Sequence, residues 1–381
     1  MDQSRDEVRV AKSSISGVGV ALQFCVQNSC LIITGGLALL CLALIYVTYC
    51  FHEPEFHYVP ANASPVYVAA LFHNSEAILD DFVPNILKLA EVVGYSNMYI
   101  SILEGGSRDS SVAILASLQR ACQSRGIAIT IKHEDDGRKE GEDRVTFLAR
   151  KRNDVLYPLK AIAASHSSHP STKDLNLPRP KLIFFNDVLW NVPSVLRLLS
   201  TNSGNFSFAC GLDFTHTFYD RWVTRDSYGH VLNPLYPYAP TAADREAVWH
   251  SQAFPVHSCW NGIIAFDAEL LLHPRFNLRF RGSLSEYEDC VVGSESYFIC
   301  ADIQRVMERG DAPFRPGFIN PAVKVFYAHR YEWEHSLLWP LLQPWLWLLA
   351  PKALPPVQQS KIPCGLGEAN EQVYLTDKAI R

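Results

Sequence analysis

The chain has 381 residues, 48% of them hydrophobic and 19% charged, with a formal net charge of −5. These are the proportions of an ordinary globular protein with room for one large domain and appendages. The mildly acidic balance and the lack of a basic stripe exclude a nucleic-acid-binding surface.

Residues 1–29 read as a tail. Cys30 to Phe51 carries no charged side chain, enough to span a bilayer as a helix. A cleaved signal peptide has a shorter apolar region, and Ala61-Asn62-Ala63 lies too far downstream to be its cleavage site. A buried core helix is the third and weaker reading, since the run is apolar on all faces and long enough for a span. Arg5, Arg9 and Lys12 precede the run and no Lys or Arg follows until Lys88, so the positive side stays cytoplasmic and the body is expected to be lumenal. The expectation is an uncleaved anchor over 30–51 and a stem over 52–64. The sequons Asn62-Ala63-Ser64 and Asn205-Phe206-Ser207 agree with that placement. Six of the ten cysteines lie beyond the run: Cys122, Cys210, Cys259, Cys290, Cys300 and Cys364. Some should pair in an oxidising lumen, with the pairing left open. No Cys-x-x-Cys spacing points to structural zinc.

The body begins at Pro65. Val66 to Phe72 reads as a strand. Glu76 to Val93 has helical spacing in Ile78, Phe82, Ile86, Leu89, Ala90 and Val93. Met98 to Leu103 is the next strand, Ser110 to Arg125 a helix and Ile127 to Ile131 a third strand. This alternation predicts a parallel sheet with right-handed crossovers. His133 to Asp143 is a charge run expected to be a solvated loop. Arg144 to Ala163 is an amphipathic helix. Ser165 to Pro180 is a Ser/Pro-rich loop, with His166 and His169 read as surface residues. Lys181 to Phe185 is a strand, and Pro193 to Leu199 a helix with proline in the tolerant first turn. Phe206 to Phe214, Trp260 to Phe266 and Val323 to Tyr327 read as later strands. Leu337 to Ala350 holds three tryptophans but is too short and too interrupted by Pro340 and Pro344 to span a membrane; it is expected to pack on the body.

Two apolar runs end in acid. Ser101-Ile102-Leu103-Glu104 opens into a Gly/Ser turn, and Leu182-Ile183-Phe184-Phe185-Asn186 ends at Asp187. Buried strands deliver such residues to the carboxyl edge of an open α/β sheet, where ligands bind. Glu104 is placed to accept hydrogen bonds from a ribose or base, and the backbone N–H groups of the following helix start favour phosphate. No Lys follows the glycines, so this is not a P-loop. The plain alternative is a strand-to-helix turn with Ser or Asp as cap. Asp187 is the first choice for a divalent-metal ligand, since hard oxygen donors suit Mg²⁺ and Mn²⁺; the plain alternative is an Asp ending a strand. Arg150, Arg152 and Asn153 offer a fork for phosphate and an amide for hydroxyls. Asp213, Trp260 and Asn261 make either a sugar platform or core. Glu295 opens a helix, with Glu286, Glu288 and Asp289 upstream, and is a candidate to touch the acceptor. His329, after the last strand, is a candidate to complete the metal sphere.

The phrases SILEGGSRDSS, DRVTFLARKRNDVLYPL, LIFFNDVLW, FACGLDFT, FYDRWVTRDSYG, HSCWNGIIAF, FRGSLSEYEDCVVGSESYFICAD and INPAVKVFYAH stand in this order between Pro65 and His335. As an ordered set they resemble the fungal capsule-associated α-1,3-mannosyltransferase family, glycosyltransferase family 69. Gly105 stands where that family more often has Ser. The resemblance implies an α/β fold, a GT-A-like Rossmann-type mixed sheet flanked by helices and preceded by one N-terminal transmembrane helix. It implies a lumenal catalytic domain over 65–335, a Trp/Pro-rich extension over 336–381 and a single-pass type II Golgi membrane protein. It also implies GDP-mannose as donor, a mannose-containing glycan as acceptor and dependence on Mn²⁺ or Mg²⁺. Donor contacts then fall to Glu104, Asp109, Arg152 and Asn153, and metal binding to Asp187; Asn186, beside Asp187, is a further candidate for a donor contact, as His329 is for the metal. Asp213, Trp260, Asn261 and Glu295 would face the sugar or acceptor. An α product from an α donor means retention, which needs no simple base; under inversion Asp213 or Glu295 would be the base. Two rival expectations are a non-catalytic scaffold or lectin-like protein and a transferase using a UDP-sugar.

Overall fold

The structure is a computed structural model. It describes residues 36–37, 40–42, 65–166, 180–282 and 293–355. The chain divides into two compact units, residues 1–54 and 55–381. In the first unit the described residues 36–37 and 40–42 are helical and exposed.

The second unit is built on a nine-stranded sheet. Its first strands are continuous apolar runs, β1 (Val66–Phe72), β2 (Met98–Glu104) and β4 (Lys181–Phe185). Parallel strands covered by helices on both faces take such sequences. β3 (Ala128–His133) is more exposed and ends the sheet. The connecting helices are α1 (Glu76–Val93), α2 (Ser111–Ser124) and α3 (Arg144–His166). Next come α4 (Val192–Leu199), β5 (Phe208–Phe214), β6 (Arg225–Asp226), α5 (Ala242–Trp249), β7 (Phe254–Ser258), β8 (Ile263–Asp267) and α6 (Ala268–Leu272). The described chain closes with α7 (Glu295–Glu308), β9 (Gly317–Phe326), α8 (His329–Trp333) and α9 (Trp339–Leu349).

The pleat sorts side chains into two cores. Val66, Val68, Ala70 and Phe72 pack with Leu79, Phe82 and Ile86 of α1, Leu115 and Leu118 of α2, and Val195 and Leu198 of α4. Tyr67 and Ala69 belong to the other face, with Val155, Leu156 and Leu159 of α3 and residues of α6 and α7. The period of 2 in the strands and 3.6 in the helices produces this sorting directly.

The strand order is β3-β2-β1-β4-β8-β5-β9-β7-β6. β2, β1 and β4 run parallel, β8 is antiparallel to both β4 and β5, and β9 is parallel to β5. Two reversals restore direction, so the carboxyl ends of β5 and β9 lie on the same edge as those of β2, β1 and β4. The chain winds outward from β1 to β2 and β3, then returns to place β4 on the other side of β1. The crevice between β1 and β4 is therefore the topological switch point.

This mixed sheet with flanking helices is consistent with the GT-A-like Rossmann-type expectation. The expected membrane-spanning helix is corrected. Among the described residues no helix is long and apolar enough to cross a membrane. A span needs about 20 apolar residues; α1, with 18, carries charges along its length, and α9 has only 11. The membrane partnership, the single-pass type II topology and the lumenal Golgi placement rested on that helix and are withdrawn with it. Most of the stretch 30–51 lies outside the described residues, as do the tail, the stem, His169, Glu286, Glu288, Asp289, Cys290 and Cys364.

Three further differences have local causes. β9 starts at Gly317, earlier than the apolar run from Val323, because Asn320 and Pro321 sit in an irregularity where the register with β5 shifts. The charge run begins as the end of β3, and its acids are drawn to α3: Asp136 to Arg150 at 2.9 Å and Glu134 to Lys151 at 2.5 Å. α9 is far less covered than expected, with Pro340 its one buried residue and Trp345 and Leu348 exposed at 67% and 78%.

One disulfide joins Cys210 to Cys259. It ties β5 to the residue immediately before Trp260. Cys122 and Cys300 are buried free thiols.

Candidate functional site

The carboxyl edge of the sheet gathers Glu104 at the end of β2, Asn186 and Asp187 after β4, Asp213 near the end of β5, Tyr327 after β9 and Trp260 to Gly262 leading into β8. Phe72 pairs with Glu104 on one side of β1, and Ala70 with Phe185 on the other. Glu104 and Asp187 thus flank the switch crevice two strands apart, a separation of roughly 10 Å by strand spacing.

Glu104 is 2% exposed. One carboxylate oxygen accepts the Ser107 backbone N–H at 2.6 Å, and the other faces His133 Nδ1 at 3.2 Å. Burial alone would raise its pKa; hydrogen bonds from Ser107 and His133 outweigh this and hold it below the ordinary value. The turn that follows is laced to the end of β1. His73 Nδ1 donates to the Gly105 carbonyl at 2.8 Å, the Asn74 N–H to Ser107 Oγ at 2.8 Å, and the Arg108 N–H to Asn74 Oδ1 at 2.8 Å. Gly106 has φ +71°, and a Cβ there would stand 2.5 Å from Asp135 Oδ1, so the turn requires glycine. Asp109 takes the Glu76 and Ser111 N–H groups, each at 3.0 Å. It caps the starts of α1 and α2, the plain alternative for this turn.

Asp187 is exposed at the mouth of the crevice. Beside it, Asn186 Oδ1 accepts Trp260 Nε1–H at 3.0 Å, and the Asn186 N–H donates to the Gly262 carbonyl at 2.9 Å. Gly262 has φ +71°, and a Cβ there would lie 2.9 Å from Val188 Cγ1 and 3.1 Å from Val325 Cγ2. Glycine lets the lead-in to β8 press against the loop that carries Asp187.

Asp213, Asn261, Trp260, Arg152 and Glu295 are placed inside rather than on the crevice, Asn153 is half-buried and His329 is exposed. Asp213 is buried, with Oδ1 accepting the Asp220 N–H at 3.0 Å and Oδ2 the Tyr327 hydroxyl at 2.9 Å. Asn261, in the left-handed region at φ 51°, donates to the Gly211 carbonyl at 2.8 Å and accepts from Thr224 Oγ1 at 2.7 Å. Its amide is spent on the fold, not presented to a sugar. Trp260 is core: the Arg152 guanidinium lies 3.8 Å from its ring centroid, with Phe184 and Phe280 around it. Arg152 is buried, pairs with Glu295 at 3.1 Å and donates to Ser296 Oγ. Burial lowers the Arg152 pKa, against the pull of Glu295. Ser294 caps α7 through the Ser296 N–H at 3.1 Å, fixing where Glu295 points. Asn153 binds both backbone groups of Phe280, at 2.7 and 3.0 Å. His329 is engaged by Asp81 at 2.9 Å and Glu332 at 3.4 Å, so both ring nitrogens face carboxylates away from the metal role expected of them.

Sequence reasoning missed Tyr327, Asp220 and His133. The phenol of Tyr327 is pushed well above its ordinary range, by burial first and then by Asp213, Asp220 and Asp187. That places all three carboxylates within electrostatic reach of one hydroxyl. The signal was available in Phe326-Tyr327 after the last strand and Tyr219-Asp220 after β5. Among the described residues no group of three or more His, Cys, Asp or Glu gathers as a ready metal cage.

The fold is that of a doubly wound α/β protein with acids along the carboxyl edge of its switch crevice, where ligands of such sheets bind. The family described as Cryptococcal mannosyltransferase 1 matches residues 65–302, and the chain belongs to it. It is therefore an enzyme, a glycosyltransferase. No curated protein matches the sequence. Among solved structures the chain is similar to the mannosyltransferase PcManGT from Pyrobaculum calidifontis in complex with GDP-Man and Mn²⁺, with 15% identity, 83% of this chain and 74% of that chain covered, and TM-score 0.40. It is similar to GalNAc-T7 with UDP, GalNAc and Mn²⁺, with 14% identity, coverage of 71% and 45%, and TM-score 0.39. It is also similar to glucosyl-3-phosphoglycerate synthase from Mycobacterium tuberculosis, with 13% identity, coverage of 72% and 76%, and TM-score 0.35. These are distant likenesses.

Proposed function

We propose that this chain transfers mannose from GDP-mannose to a mannose-containing glycan, forming an α-1,3 linkage with retention. The observation that carries the reading is the placement of Glu104 and Asp187 on either side of the β1/β4 switch crevice, with Asp187 exposed. The turn after Glu104 receives the nucleoside end of the donor, and the β4 loop receives the diphosphate end.

The donor set fits a hard divalent ion. Mg²⁺-type sites use one or two carboxylates together with substrate phosphates rather than a complete protein cage. Asp187 would supply such a carboxylate. When bound, the ion neutralises charge on the departing diphosphate. Asn186 fixes the loop through Trp260, and the Arg152–Glu295 pair holds Trp260 from behind. Asp213 and Glu295 are both buried and paired. That suits a retaining transfer, in which no protein base has to reach the acceptor.

The test is Asp187→Ala in the full chain, assayed with GDP-mannose, Mn²⁺ and a mannobiose acceptor. The variant is expected to remain folded and to lose transfer. Normal turnover would remove Asp187 from the mechanism, and transfer from a UDP-sugar but not GDP-mannose would replace the donor.

A further inference from the structure

In a dinucleotide-type α/β sheet, the acid that ends the second strand reaches the ribose hydroxyls. Here that acid is Glu104, and it is 2% exposed with both oxygens engaged. It cannot also meet a ligand face on. What it does instead is hold His133, its register partner at the end of β3. An ionised carboxylate only accepts, so the hydrogen lies on His133 Nδ1, and in that tautomer Nε2 faces outward as an acceptor. The His133 side chain is 46% exposed, and among the described residues its Nε2 has no partner. Next to it, the Asp135 carboxylate lies against Gly106. The neighbouring acids Glu134 and Asp136 are consumed by Lys132, Lys151 and Arg150. His133 stands three strands from β4, roughly 14 Å by strand spacing, on the same edge as Asp187.

Resting on the reading above, we propose that His133, oriented by Glu104 and assisted by Asp135, is the residue that recognises the nucleoside of the donor. The chemistry it fits is a pair of adjacent hydrogen-bond donors. A ribose cis-diol supplies these as two O–H groups, and a guanine edge supplies them as N1–H and the exocyclic amine. Glu104 is the positioning residue that sets the tautomer.

The experiment is calorimetric titration of the full chain, in Mn²⁺, with GDP, 2′-deoxy-GDP and IDP. Wild type is expected to bind GDP more tightly than one of the two analogues. Weaker 2′-deoxy-GDP identifies the ribose as the recognised group, and weaker IDP identifies the base. His133→Ala is expected to weaken GDP about tenfold, the size of one lost hydrogen bond, and to bind all three nucleotides alike. Asp135→Asn should do the same to a smaller degree. Both positions are exposed, and an unchanged melting temperature separates lost recognition from lost folding. If wild type binds GDP and His133→Ala binds it equally well with discrimination intact, this proposal is overturned and the donor reading stands. If wild type binds none of the three, both fall.

Discussion

At the scale of single residues, burial separates the acids left open to a ligand from those that hold the fold. Asp187 is exposed, whereas Glu295 is 3% exposed and serves as the counter-charge of Arg152. Removing one partner of a buried pair leaves the other charge stranded, which costs about 3–5 kcal/mol. Glu295→Ala should therefore lower the free energy of unfolding by about that amount in a urea titration, while Asp187→Ala stays within about 0.5 kcal/mol, as exposed substitutions do. A Glu295→Ala protein of full stability that no longer binds acceptor would instead make Glu295 a substrate contact. The position of Asp187 was legible in the sequence because an apolar strand stops there. The occupancy of Asp213, Asn261 and Glu295 was not. Their partners Tyr327, Thr224 and Arg152 lie 114, 37 and more than 100 residues away in the chain, and no local pattern records those meetings.

At the scale of elements, the β1-to-α4 half was readable because β1, β2 and β4 are apolar runs and α1, α2 and α4 carry an apolar stripe. β7 and β6 were not read, since Pro255 interrupts one and the other has two residues. Nor does any sequence pattern announce that β8 inserts antiparallel between β4 and β5. His133 was assigned to a solvated loop because it opens a charge run; pairing with β2 makes it the last residue of β3. The Cys210–Cys259 bridge, with a sequence separation of 49, anchors the Trp260–Gly262 segment to β5. Closing a loop of that length restricts the unfolded chain by up to about 4 kcal/mol. The double variant Cys210→Ala/Cys259→Ala should lose about 2–4 kcal/mol by chemical denaturation and bind donor more weakly, because the segment that braces the Asp187 loop loses its tether. Unchanged stability and affinity would show that packing alone fixes that segment.

At the scale of the whole molecule, two neutral histidines make stability depend on pH. Burial lowers His257 and His335 from 6.5 to about 4. His335 stacks on Trp339, with ring centroids 5.1 Å apart, beneath the start of α9. The folded chain binds these protons less readily than the unfolded chain. The stability they confer is full above pH 6.5 and is lost as pH falls toward about 4. The melting temperature should drop between pH 7 and pH 4.5, and His335→Gln should reduce the slope. A variant with the same slope as wild type would remove His335 from the account.

The central claim is that the crevice between β1 and β4 is where the donor lies. A crystal structure of the full chain soaked with GDP and Mn²⁺ tests it most directly. The diphosphate is expected beside Asp187 and the nucleoside over the Glu104–His133 end of the sheet. Nucleotide bound anywhere off the carboxyl edge, with the Asp187 loop untouched, would contradict it.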